Sequence, residues 1–267
     1  ASVAYLSADK LPAVTRLVIQ PGVFRLEQVL DEEPLQNLVK TFESKLAPSY
    51  IVNASDLDEH EDVRALLQKA QFIVRGIVES SAMAGSYGIF EVRPEFMERP
   101  IVTSLTELEH LHWHVESDGS ERAGTLRVFL KGGQTGIPSG FTLFPYLERE
   151  GSVYKYKDMK DYRTYECDKG EVDYDTSYCD ATPGLLFKDI HMQHCCCTDL
   201  LRVAPKPGDA LFFMSVQPTG AYNPLAGYLI CPSLDKAMFI DIHFWRSPPP
   251  PEKGLIVKHS SKKRKRR

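Results

Sequence analysis

The stretch from Gly208 to Trp245 constrains the chain more than any other. It opens on a turn, Pro205-Lys206-Pro207-Gly208-Asp209, and continues as an unbroken apolar run, Ala210-Leu211-Phe212-Phe213-Met214. A short apolar run bounded by turn formers suits a strand buried on both faces. A polar loop with Pro218, Gly220, Asn223 and Pro224 follows. From Phe239 the pattern alternates: Phe239, Asp241, His243 and Trp245 share one strand face, and Ile240, Ile242 and Phe244 share the other. The wholly apolar second face needs a layer packed against it.

The N-terminal part supplies candidates for one such layer. Residues 1–20 read as a loose arm ending in a short strand from Arg16 to Ile19, and Val23 to Leu26 reads as a second strand. Asp31 is placed to cap a helix, because its carboxylate can accept from the first free backbone N–H groups. Leu35, Leu38, Val39, Phe42 and Leu46 then fall on one helical face. A longer helix carries Val63, Leu66, Leu67, Ala70, Ile73, Val74, Ile77 and Val78 on one face. Both stripes are expected to pack against a sheet. Ile89 to Val92 reads as a further strand.

Bulk composition excludes little. The chain has 267 residues, 43% of them hydrophobic and 25% charged, as in ordinary globular domains. No run is long and apolar enough for a transmembrane helix, and no secretory or transit peptide is legible near Ala1. The net charge of −4 conceals an asymmetry. Lys262, Lys263, Arg264, Lys265, Arg266 and Arg267 form a basic run, and the remainder has 26 basic against 36 acidic residues, a net −10. The cysteines are Cys167, Cys179, Cys195, Cys196, Cys197 and Cys231. Three are consecutive, so no disulfide framework is expected, and the chain is placed in a reducing compartment.

Several motifs taken together resemble the catalytic domain of prolyl 4-hydroxylases, which are iron(II)- and 2-oxoglutarate-dependent oxygenases. Gly208-Asp209-Ala210-Leu211-Phe212-Phe213 resembles the family's G-D-A-L-x-F, Thr219 to Pro224 its D-G-x-x-D-P, and Cys231-Pro232 the end of its H-x-x-C-P-V. Arg122 to Leu130 resembles its R-x-x-T-x-L-x-Y-L strand, and Ser139 to Pro145 its G-G-x-T-x-F-P. The resemblance covers about residues 21–246. It implies a mainly β fold with flanking helices, a double-stranded β-helix or jelly-roll core. Residues 247–267 follow as a proline spacer and basic tail.

The resemblance also assigns site positions, and there the chain departs from the pattern. The family's H-x-D falls on His114-x-Glu116, with the side chain of Glu116 one methylene longer. The second metal-binding histidine falls on Tyr228, and the cosubstrate lysine on Met238. Lys236 is two residues away and keeps the strand parity of Met238. His110 and His112 share the face of His114, but strand residues four apart sit roughly 13 Å apart, too far for one metal. An active oxygenase of this class needs two His and a carboxylate on iron, with positions left open. A catalytically inactive protein serving as a structural or binding subunit is therefore expected, with no cofactor. The alternative is an active dioxygenase in which His114 and Glu116 hold iron(II) and Lys236 holds 2-oxoglutarate.

Residues 146–200 form an insertion relative to the family, rich in Tyr, Asp and Lys. Loops this long are usually functional or interacting. Zinc binding by its cysteines and histidines is left open, since the spacing contains no C-x-x-C pair; a solvated loop is the preferred reading. Expected partners are protein subunits of a larger complex, with the insertion as the tyrosine-rich interface. The tail is expected to project from its proline spacer towards RNA or another anionic surface, or to act as a nuclear signal. A nucleic-acid-binding module working through the tail is a third reading. The expected location is intracellular, mitochondrial or nuclear.

Overall fold

Strand-forming runs recur along the whole chain. In order they are β1 (Ala13–Val18), β2 (Val23–Glu27), β3 (Ser49–Ile51), β4 (Ile101–Leu105), β5 (Leu111–His114), β6 (Arg122–Lys131), β7 (Thr142–Glu148), β8 (Leu200–Val203), β9 (Ala210–Met214), β10 (Tyr228–Ile230) and β11 (Ala237–Trp245). The helices are α1 (Glu32–Glu43), α2 (Ala54–Glu59), α3 (Glu61–Glu79) and α4 (Thr176–Ala181). This computed structural model describes residues 12–18, 22–45, 49–80, 91–106, 109, 111–114, 121–133, 137–148, 176–181, 194–197, 200–217, 221, 223–251 and 253–254.

The strands form two sheets. Seven take the order β1-β2-β9-β6-β11-β4-β3, and four take the order β5-β10-β7-β8. Every pairing within them is antiparallel. β1 and β2 form a hairpin, but neighbours such as β9 and β6 are far apart in sequence, so the sheets are largely interleaved. Two antiparallel sheets with this interleaving are the jelly-roll core that the sequence implied.

Strand parity sorts the core into layers. On β11, Met238, Ile240, Ile242 and Phe244 join the apolar faces of α1 and α3, together with Leu126, Val128, Leu130 and Phe212. Ala237 and Phe239 turn the other way and meet Phe144, Phe213, Tyr228 and Ile230. The faces predicted for Phe239 to Trp245 are those formed. Eight apolar side chains of α3 are buried, from Val63 to Val78, matching the predicted stripe. Each of the Val, Leu and Ile side chains among them contributes about 1.5–3 kcal/mol of transfer free energy, far more than helix propensity does. Asp31 occupies the N-cap of α1 without a side-chain capping bond, and Glu32 and Glu33 complement the helix dipole instead.

Three expectations need correction. Ile89 and Phe90 lie outside the described residues, while Glu91 and Val92 form no strand. The carbonyl of Val92 accepts from the Arg75 guanidinium at 3.1 Å, and Pro94, at the start of the next turn, has no N–H for a sheet. The segment after Trp245 does not run straight away from the domain. A turn at Pro250 folds back, Arg99 donates to the Lys253 carbonyl at 2.9 Å, and Glu98 bridges Gly254.

The cysteines are the third correction. Cys195 is bonded to Cys231, Cys179 to Cys196, and Cys197 is also disulfide-bonded. Consecutive cysteines cannot readily pair with one another, but the turn at His194–Cys196 sends each towards a different partner. The described part of the insertion is therefore no solvated loop. Tyr178, Cys179 and Cys195 to Cys197 are buried against Phe141, Leu143 and Leu229, on the face of the four-stranded sheet opposite Phe144 and Tyr228. Tyr146 and Tyr178 are buried as well, so neither is available as interface. The basic run from Lys262 to Arg267 lies outside the described residues.

The turn before β9 fixes how the helical layer meets the sheet. Gly208 has φ +87°, its N–H donates to Phe129 and its carbonyl accepts from Leu30. A Cβ there would stand 2.9 Å from the Leu30 carbonyl oxygen. Gly208→Ala is expected to cost about 1–3 kcal/mol, seen as a lower urea midpoint at unchanged slope.

Candidate functional site

The two positions that the resemblance assigned to metal-binding histidines are neighbours. Tyr228 on β10 pairs directly with His114 on β5. Glu116 and His110 lie outside the described residues. The Tyr228 ring is buried against Phe213 and Phe144, with centroids at 5.0 and 6.2 Å. Its hydroxyl points into the space between the sheets, where it meets a guanidinium.

That guanidinium belongs to Arg127, which is 0% exposed. The register of β6 against β11 sets Arg127 directly opposite Asp241. Nε donates to Oδ1 of Asp241 at 2.8 Å and Nη2 to Oδ2 at 2.7 Å, a bidentate pair. Nη2 also donates to the Tyr228 hydroxyl at 3.0 Å, and Nη1 to Oγ1 of Thr142 at 3.2 Å. The plane lies between two rings, 4.6 Å from the Tyr228 centroid and 4.4 Å from that of Phe239. The three polar partners come from three strands of two sheets. Planar delocalised charge suits such a sandwich, and a lysine would not reproduce it.

Other buried polar groups extend the same face of β11. Nδ1 of His243 is 2.9 Å from Oγ1 of Thr125. Burial holds the His243 imidazole at a pKa of about 4, well below its ordinary 6.5. The nearby Arg122 charge adds to the lowering and that of Arg127 also contributes, whereas Asp241 and Glu98 oppose it. Beyond it, Arg122 makes a bidentate pair with Glu98 at 2.8 and 2.9 Å, and Nε1 of Trp245 donates to the same carboxylate at 3.0 Å.

The proposed cosubstrate positions lie elsewhere. Met238 packs with the helices in the outer cluster, and Lys236 is exposed before the start of β11. The inward positions at that end are Ala237 and Phe239, neither of them basic. Parity explains this: Lys236 and Met238 share the face turned away from the second sheet. Sequence reasoning missed Arg127 and Asp241. The signal was legible, since each is a charge in the middle of an otherwise apolar strand, and Arg127 stands at a leucine of the family pattern.

Arg127 puts a positive charge 3.0 Å from the Tyr228 hydroxyl, so a divalent cation beside that hydroxyl would be repelled in a buried setting. Among the described residues no group of three or more His, Cys, Asp or Glu is placed to hold a metal ion.

Removing one partner of the buried pair should be costly. Asp241→Ala leaves a desolvated guanidinium and is expected to cost about 3–5 kcal/mol, whereas Arg127→Leu with Asp241→Leu should approach wild-type stability. Equilibrium denaturation of the singles and the double checks this. His243 gives a pH test. Its folded pKa lies below its unfolded value, so the unfolded chain binds the extra proton between pH 6.5 and 4. Stability is then full above pH 6.5 and falls by roughly 3 kcal/mol as pH drops towards 4. His243→Gln should remove that part of the slope.

No family model matches the chain, and no curated protein matches it. Solved structures do. A viral collagen prolyl hydroxylase from Paramecium bursaria Chlorella virus-1, in its 2OG complex, is similar at 14% identity and a TM-score of 0.51, covering 84% of this chain and 94% of that one. A truncated form of the same enzyme gives 14% identity and a TM-score of 0.50, over 84% and 88% of the two chains. A Pseudomonas putida prolyl-4-hydroxylase follows at 11% identity and 0.49, over 85% and 93%. The chain has a prolyl 4-hydroxylase-like fold, with a double-stranded β-helix at its core.

Proposed function

We propose that this chain uses a prolyl 4-hydroxylase-like fold without its chemistry, as a structural or binding subunit of a larger assembly. One observation carries the reading. The interior faced by Tyr228 holds a fully buried Arg127 clamped by Asp241, where the resemblance implies a metal and its cosubstrate. The substitutions support one another: without the second histidine there is no metal to repel, and the cation can occupy the space.

Two further features support a role in an assembly. The basic run at Lys262 to Arg267 on an otherwise acidic chain gives a salt-sensitive contact for acidic protein, lipid or RNA. The buried disulfides support maturation where disulfides form and persist, rather than in the reducing compartment expected from the sequence.

Purified protein incubated with micromolar iron(II) or manganese(II) is expected to retain no stoichiometric metal by elemental analysis, and to show no 2-oxoglutarate turnover. Stoichiometric metal that is lost on His114→Ala would overturn the reading in favour of an active dioxygenase. Restoring the pattern with Glu116→Asp and Tyr228→His should give metal binding only when Arg127→Leu and Asp241→Leu are added. Native pull-downs with and without Lys262 to Arg267, at low and moderate salt, test the tail. Recovered partners should depend on the tail at low salt.

A further inference from the structure

The outer face of α3 carries two residues that the packing of a single chain does not explain. Phe72 is 54% exposed, more than any other large apolar side chain among the described residues, and it lies opposite the buried stripe from Val63 to Val78. One such ring alone would be ordinary. One turn further on stands Gly76, also exposed. A glycine inside a helix destabilises it relative to alanine. Among the described residues nothing lies within 4 Å of where its Cβ would stand, so no close approach within the chain demands it. An open notch therefore lies beside an uncovered ring.

The ring and the notch belong to a longer pattern. Lys69 is three positions before Phe72, and Glu79 is three positions after Gly76. Spacings of three, four and three make a coiled-coil seam, a stripe by which one helix meets another. Within α3, Lys69 has no acidic residue three or four positions away, its neighbours there being Ala65, Leu66, Phe72 and Ile73. Glu79 has Arg75 one turn back, but that guanidinium donates to the Val92 carbonyl.

The stripe is complementary to itself when reversed. A second α3 laid antiparallel, about a two-fold axis level with Val74, sets Phe72 opposite Gly76 and Lys69 opposite Glu79. Each contact is then made twice, as an isologous interface requires. A parallel pair would instead stack Phe72 on Phe72 and oppose Lys69 to Lys69 and Glu79 to Glu79, like against like.

We propose that the outer face of α3 is a homodimer contact, in which Phe72 of each copy fills the notch at Gly76 of the other and Lys69 pairs with Glu79. The glycine lets the ring approach the backbone of the facing helix. A single helix pair is at the small end of specific interfaces, so the dimer is weak and depends on concentration. It uses neither the interior around Arg127 nor the basic run, and it stands or falls separately from the assembly role of the tail.

Sedimentation velocity on the full-length protein tests the contact, from about 5 to 300 μM and at moderate salt, where contacts of the basic run are screened. The sedimentation coefficient is expected to rise with concentration towards that of a dimer. Gly76→Gln fills the notch but has open room in the single chain, so it should raise the urea midpoint while weakening the dimer by about tenfold or more. Phe72→Glu should weaken the dimer as much. Lys69→Glu turns both ion pairs into repulsions and should weaken it about tenfold, and adding Glu79→Lys should restore it to within about twofold of wild type. A wild-type chain that stays monomeric throughout would overturn the proposal. So would a dimer that Gly76→Gln and Phe72→Glu leave intact. A lower urea midpoint for Gly76→Gln would show that the fold itself needs the glycine, and overturns it as well. Failure of the double charge reversal to restore the dimer rejects the antiparallel register.

Discussion

A guanidinium shut between two sheets must be neutralised where it stands, because its hydration cannot follow it. Arg127 meets that demand with a bidentate carboxylate, a phenol, a hydroxyl and two aromatic faces. Those partners come from β7, β10 and β11, so the network also fixes how the two sheets sit against each other. An apolar interior of equal volume would be at least as stable. What the ion pair adds is registry. Asp241 must stand opposite Arg127, and a slip of one residue in either strand would turn that strand's charge to the helical side and part the pair.

The same charge decides what the interior can hold. An iron oxygenase site needs acceptor ligands for a cation. Here the interior carries a cation of the protein's own, satisfied from within. The neutral His243 and the Arg122–Glu98–Trp245 cluster continue the theme along β11, each polar group answered by a neighbour. Function follows the site and not the fold.

The outer face of the smaller sheet is solved differently. There, among the described residues, Tyr178 and two cystines are buried against Phe141, Leu143 and Leu229. Burial and cross-links act together on that face.

Much of the fold was legible in the chain. The alternation from Phe239 to Trp245, the buried run Ala210 to Met214 and the stripes of α1 and α3 follow from side-chain period alone, because strand and helix geometry are local. The departure at Tyr228 from the resembled pattern was legible too, once the frame around Cys231-Pro232 was matched. The pairing of Arg127 with Asp241 was not, since it joins strands 114 residues apart and is set by sheet register. Nor were the cystines, because partner choice depends on which chain segments the fold brings within about 6 Å. Side-chain period along each strand sets which residues face inward. Which of those residues meet is fixed by packing between distant segments, and no local pattern encodes it.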